Sequence, residues 1–342
     1  MNKRIGTYSL LIILLLIGVI ACRKDKLSPV SNNSECSEFD NLPPLTYFYK
    51  KGDQYQTPYF NPNNANEFVY NFRNYELNES KLMIYNLQTG IKTELATNIK
   101  IISQPKWSRK GWIAFDNVFN QNYQMWFVKD NGDSLTQFTS STYNLFPAWD
   151  VTGDTLYWQY SPVLGVPSFV FKQGLDSSII DTIMKDGDIN EGYAIYNDIS
   201  IDNKLISKVV INNKFHIGYT NLNNISFLSL IDLEQKNLLG LTGLTWSNNS
   251  QVVYFTVSGG VNQGLYRLNI STSNYTKLMS FCDSKRYTKI SCSPDGTGLI
   301  GERIDSYLEK NSNGNPTGKI IENSNIYIID LQTLKETKIN LE

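Results

Sequence analysis

The strongest constraint on this chain is that it repeats itself. A stretch of the type "PKWSRKGWIAF" joins an apolar or aromatic residue to a turn-former and then to an alternating run, and it recurs along the 342 residues. With Ser108 as the reference position, the other copies are "PYFNPNNANEFVY" at Asn61, "PAWDVTGDTLYW" at Asp150, "DISIDNKLI" at Ser200, "LTWSNNSQVVYF" at Ser247 and "ISCSPDGTGLI" at Ser293. The intervals are 47, 42, 50, 47 and 46 residues. A period of that size marks four-stranded propeller blades.

Each copy has a physical logic. Phe60, Trp107, Trp149, Ile199, Trp246 and Cys292 end a strand, and the residue after each opens a tight turn. The turn is clearest at Ser293-Pro294-Asp295-Gly296, where Pro presets one dihedral, Asp bonds back to the backbone and Gly tolerates the exit. A second half follows in every copy: "LMIYNLQTG", "MWFVKDNGD", "FVFKQGLDS", "FLSLIDLEQ", "LYRLNISTS" and "IYIIDLQTL" read as third strands, and runs such as "KTELAT" as fourth strands. Six copies of four strands predict an all-β fold, a six-bladed β-propeller of four-stranded antiparallel blades over residues 45–342. The aromatic share of 13%, with 21 Tyr, suits strands. Closure is expected from "LTYFYKK", Leu45 to Lys51, laid beside the last strands, because a propeller leaves no open sheet edge.

On these residues the chain resembles the TolB-type, WD-repeat-like β-propellers, whose hallmark is an aromatic residue followed by Ser-Pro-Asp-Gly and a strand. The resemblance covers about Tyr47 to Glu342. It implies the fold and leaves function open, since such propellers serve as adaptors, binding modules and enzyme subdomains. There is no room for the separate N-terminal α/β domain of TolB itself, so that protein's partners are not implied. No hydrolase domain of the kind carried by propeller-bearing peptidases is present either.

The N-terminus carries an address. "MNKRIGTYSLLIILLLIGVIAC" sets Lys3 and Arg4 before an apolar run from Leu10 to Ile20, too short for a span of about 20 residues and of the right length for a signal peptide. Val19-Ile20-Ala21-Cys22 resembles a bacterial lipobox. This resemblance implies cleavage after residue 21, lipid attachment at Cys22, and a membrane-anchored envelope protein. Arg23, where an Asp would signal inner-membrane retention, implies the outer membrane. Residues 22–44, polar with Pro and Ser, read as a flexible tether. Cys36, Cys282 and Cys292 remain, an odd number that leaves at least one thiol free in a monomer.

Charge and composition exclude several classes. A net charge of -1 gives no field for a nucleic-acid backbone. With one histidine, His216, a multi-His metal site is impossible, and a Ser-His-Asp arrangement would have to pass through that residue. Asp186-Gly187-Asp188-Ile189-Asn190-Glu191-Gly192 alternates oxygen ligands, but Glu191 stands where an EF-hand needs Gly and Asn197 where it needs Glu. No metal and no cofactor is expected.

The recognition face is expected where the loops between second and third strands meet the entries to the inner strands. On this reading "NNKFHIGYTNLNN" and "SYLEKNSNGNPTGKIIENSN" lengthen those loops in the fourth and sixth copies. Tyr143, Asn144, Tyr196, Asn197, Tyr287 and His216 are the ligand-binding candidates on that rim, Tyr offering stacking area plus a hydroxyl. Two functions follow. The favoured one is a non-catalytic binding or scaffolding lipoprotein that recognises a protein, peptide or glycan. The alternative is a glycan-active envelope enzyme, a hydrolase or lyase, with carboxylates converging in the channel.

Overall fold

The computed structural model describes residues 47–119, 122–140, 143–162, 169–184 and 195–342. Every described residue falls within the compact unit of residues 31–342. Cys22, Cys36, the tether and the Asp186–Gly192 loop lie outside the described residues. All regular structure among the described residues is β.

After β1 (Tyr47–Lys50) the strands come in sets of four. The first set is β2 (Asp53–Asn61), β3 (Asn64–Asn74), β4 (Glu79–Asn86) and β5 (Lys92–Thr97), a meander in sequence order. Next come β6 (Lys106–Trp107), β7 (Trp112–Phe119), β8 (Asn122–Lys129) and β9 (Thr136–Gln137), then β10 (Tyr143–Trp149), β11 (Thr155–Ser161), β12 (Phe169–Gly174) and β13 (Asp181–Met184). These two sets form one eight-stranded sheet, joined by a single parallel pair, Tyr143 with Tyr123. Two further four-stranded sheets follow: β14 (Ile195–Ile199), β15 (Lys204–Ile211), β16 (Lys214–Asn221) and β17 (Ser226–Asp232); and β18 (Leu241–Trp246), β19 (Val252–Val257), β20 (Gly264–Asn269) and β21 (Tyr275–Ser280). The last sheet holds β22 (Lys285–Cys292), β23 (Gly298–Lys310), β24 (Pro316–Asp330) and β25 (Glu336–Lys338).

The sheets are arranged like a propeller. Each first strand packs on the next, β2 on β6, β6 on β10, β10 on β14, β14 on β18 and β18 on β22, and β22 returns to β2. The seam is sealed by β1, which runs parallel to β24 with Tyr47 opposite Lys319 and Lys50 opposite Glu322, while β25 takes the other end of the same edge. Two regions differ from the sequence reading. "FLSLID" is the fourth strand of its sheet, β17, and the third strand is β16, inside the stretch read as a loop. Asn212 and Asn213, both at positive φ, make a two-residue turn there, the Asn chemistry of a tight hairpin. Likewise "SYLEKNSNGNPTGKIIENSN" is mostly the paired arms of β23 and β24, with a tip at Asn311–Asn315.

The repeated turns explain the repeat. Ser293 Oγ accepts from Gly298 N (3.0 Å) and donates to Asp295 (2.5 Å). Ser108 Oγ accepts from Trp112 N (3.0 Å), Ser200 Oγ from Lys204 N (3.1 Å) and Ser247 Oγ from Val252 N (3.1 Å). Asp150 does the same work for Gly153 N (2.8 Å) and Thr155 N (3.2 Å). The left-handed residue that closes each of these turns is Gly111, Gly153 or Gly296, and otherwise Asn203 or Ser250.

Between the sheets, Trp107, Trp149 and Trp246 are 4%, 7% and 4% exposed, at equivalent places. Two of them also tie neighbouring sets together. Trp149 Nε1 donates to the Lys106 carbonyl (2.9 Å) and Trp246 Nε1 to the Asp198 carbonyl (3.2 Å), each carbonyl two residues before the preceding turn.

Candidate functional site

Because side chains alternate along a strand, the residue before each turn enters the inter-sheet core and the one before that points the other way, into the channel. Two residues before the turns stand Tyr59, Lys106, Ala148, Asp198, Thr245 and Ser291. Asp198 is their hub: it accepts from Lys106 Nζ (3.1 Å), Tyr59 Oη (3.2 Å), Thr245 Oγ1 (3.0 Å) and Trp246 N (3.1 Å). Four donors from three other strand sets thus converge on one buried carboxylate. Lys106 Nζ also lies 4.3 Å from the centre of the Tyr59 ring. Burial pulls the Lys106 ammonium below the ordinary lysine value while Asp198 draws it back. Burial, and then the Asp198 charge, hold the Tyr59 hydroxyl well above its ordinary value, with Arg109 acting against them.

Above this floor the channel widens into a cavity of about 230 Å³ that opens among the short turns. Its walls include Phe60, Ile199, Trp246 and Cys292, and its rim Pro62, Arg109, Ile201, Asn248 and Pro294, each one residue past a turn-former. Cys292 is a free thiol that burial pushes up to about 12, which keeps it protonated at neutral pH and unsuited to nucleophilic attack. Cys282 is disulfide-bonded.

Below the floor the channel narrows to a space of about 10 Å³ among Gln104, Phe146, Gly243 and Lys289. Here the first strands bulge. Register shifts fall at Gln56/Tyr59, Leu145/Ala148, Ile195/Asp198, Leu241/Gly243 and Thr288/Ile290, and Thr57, Phe146 and Lys289 take φ of 51°, 54° and 46°. A bulge costs the ladder some of its partners, and buried polar side chains on the second strands stand at that level. Glu302 accepts from Thr57 N (3.2 Å). Asp116 accepts from Ile102 N (3.0 Å), Ser103 N (2.9 Å) and the Ser103 hydroxyl. Burial raises the Asp116 carboxyl against these bonds. Lys289, deep in the channel with some surface still accessible, is lowered to about 8 by burial, with Glu302 and Asp116 opposing the shift.

The ligand-binding candidates read from sequence do not assemble into this cavity. Tyr143 is half-buried at the start of β10, its ring 5.5 Å from that of Tyr123. Asn144 is buried and accepts from Trp158 Nε1 (2.9 Å). Asn197 is buried beside the constriction, donating to the Phe146 carbonyl (3.0 Å) and accepting from Ser207 Oγ (2.7 Å). Tyr287, placed on the rim by the sequence reading, is instead fully buried against Leu265, Leu299 and Ile329, with its hydroxyl on Glu336 (2.5 Å). His216 lies on β16, bonded to Ser229 Oγ (2.9 Å) and paired across the sheet with Val209 and Asp232. Of Tyr196, only its place in β14 is described. Polar groups at the strand entries are spent on neighbouring sheets, so the open cavity lies at the other end of the first strands. A signal for it was present in the sequence. The residue two before each turn is polar in five copies, although only its neighbour was needed to explain the core. Among the described residues no three His, Cys, Asp or Glu side chains gather to hold a metal.

No family model matches the chain, and no curated protein matches it in sequence. Solved structures do match in shape. TolB from Acinetobacter baumannii is similar over 77% of this chain and 65% of its own, at 15% identity and a TM-score of 0.51. A structure of a nidogen/laminin complex is similar over 75% and 88%, at 12% identity and 0.55. A prolyl endopeptidase is similar over 84% and 50%, at 11% identity and 0.51. The chain therefore spans about two thirds of the TolB chain and half of the peptidase. Likeness at these identities establishes a TolB-like propeller fold and leaves the task open.

Proposed function

We propose that this chain is an envelope-anchored, non-catalytic binding or scaffolding lipoprotein, a propeller of six four-stranded blades that recognises a protein, peptide or glycan at the short-turn mouth of its channel. The ring of first strands from β2 to β22 supports the count of six, the eight-stranded sheet being two blades bridged at Tyr143 and Tyr123. The observation that carries the binding reading is the commitment of Asp198. It is the carboxylate among the described residues lining the mouth, and its four protein donors leave it no capacity to shuttle a proton to a substrate. Asp116 and Glu302, further down, are spent on backbone donors. What stays open is a shaped wall of Ile199, Ile201 and prolines with one rim cation, which suits recognition.

Closing the mouth with Ile201→Trp is the test. Ile201 is 48% exposed, so the fold should persist while capture of envelope components by the purified protein is lost. Capture that survives the plug but disappears when the β23–β24 tip is removed would place recognition on the opposite face. The anchor is tested separately. Cys22→Ser should convert a membrane-fractionating, lipid-labelled protein into a soluble or unprocessed one, and unchanged lipid labelling would sink the lipoprotein reading.

A further inference from the structure

The charges around the mouth are unevenly committed, and this narrows what it takes. Lys106 at the floor is held by Asp198, and Lys110, next to Arg109, is held by Asp154 at 2.6 Å. The rim acids are occupied by their own turns: Asp150 by Gly153 N and Thr155 N, Asp295 by Ser293 Oγ and Thr297 N, and Asp202 by Lys204. Arg109 is exposed and lines the cavity, and among the described residues its guanidinium has no hydrogen-bonded or ion-paired side chain. The cavity thus carries one uncommitted cation over an apolar wall of Pro62, Ile199, Ile201 and Pro294.

Resting on the mouth as the recognition site, we infer that the group it binds is a single carboxylate on an apolar or ring-shaped body, paired with the Arg109 fork. A planar carboxylate matches a guanidinium edge with two parallel hydrogen bonds. A phosphate brings nearly two charges to a site with one to offer. A space of about 230 Å³, at about 30 Å³ per displaced water, admits one such end group and not a whole polymer.

The test is calorimetric titration of the purified full chain with benzoate, with benzamide as its neutral isostere and with inorganic phosphate. Benzoate should bind saturably, benzamide and phosphate at least about tenfold more weakly. Arg109→Gln should remove at least about tenfold of the benzoate affinity with an unchanged melting transition, Arg109→Lys should restore part of it, and Ile201→Trp should abolish it. Equal affinity for benzoate and benzamide, or benzoate binding indifferent to Arg109→Gln, overturns the carboxylate inference; if Ile201→Trp still abolishes binding, the mouth survives as the site. Binding indifferent to both substitutions, or no binding by any of the three probes, overturns the carboxylate inference and counts against the mouth.

Discussion

Two cavities invite comparison, and the larger is the less informative. At the seam, where the first sheet meets the last, a groove of about 760 Å³ is walled by Tyr55, Tyr70, Phe72 and Met83 and ringed by Lys51, Lys81, Lys92 and Lys338. It resembles a site for an anion until the charges are followed. Lys81 lies between Glu79 (2.8 Å) and Glu94 (3.1 Å), Lys92 donates to the carbonyls of Leu341 (2.7 Å) and Glu342 (3.0 Å), and Lys338 approaches Glu342 (4.0 Å). The channel mouth is about a third of that size, yet it holds a saturated carboxylate at its floor and an unspent guanidinium at its rim. Volume at the seam comes from the first sheet meeting the last, whereas the mouth comes from repetition, which brings unlike side chains to one depth.

The comparison is broken most directly at Asp198. Asp198→Ala leaves the Lys106 ammonium buried without its partner and strips acceptors from Tyr59, Thr245 and Trp246 N, so urea unfolding should show a loss of about 3–5 kcal/mol. A loss below about 1 kcal/mol would mean that the hub is dispensable and the floor not a fixed structure. Next in size, Trp246→Phe keeps most of the packing but removes the indole donor to the Asp198 carbonyl. It should cost about 0.5–1.5 kcal/mol in the same assay, and a neutral result would deny the indole its role as a tie between sheets.

A pH series tests the constriction. The folded-state value of Lys289, about 8, lies below its ordinary 10.5, so the unfolded chain binds more protons across that window. Its contribution should therefore make stability climb as pH rises from about 8 to about 10.5, and Lys289→Met should remove that part of the climb. An identical slope in the variant would assign the titration to another group. The smallest effect belongs to the seam, where Lys92→Ala, on an exposed side chain, should move stability by no more than about 0.5 kcal/mol. A loss of about 2 kcal/mol there would show that the bonds to Leu341 and Glu342 hold the ring shut.

Legibility followed locality. The turns could be read because each is settled within a few residues: Ser293 Oγ caps Gly298 N, and Gly296 accepts the left-handed exit whatever surrounds it. The indoles could be read as core because an aromatic residue directly before such a turn has one face to enter. The fourth copy misled, because β16 carries Lys214, His216, Gly218 and Asn221 directly after Asn212-Asn213, a composition that reads as a loop. Its pairing with both β15 and β17 makes it a strand, and those partners are set by the sheet. Tyr287 misled in the same way, since a Tyr in a polar stretch looks exposed until Tyr327, Leu265 and Glu336 close over it.

By itself, then, the sequence determined the period, the turn chemistry, the strand-rich composition and the positions of the core tryptophans, all products of interactions spanning a few residues. Which polar residues would be spent and which left free was decided only by the tertiary structure. Asp198 and Lys106 stand 92 positions apart, and Thr57 and Glu302 stand 245 apart. Closing the ring brings each pair to within hydrogen-bonding distance, and the identity of a buried charge's partner depends on that closure because electrostatic strength inside a protein is set by distance and burial, neither of which is written in the order of the residues.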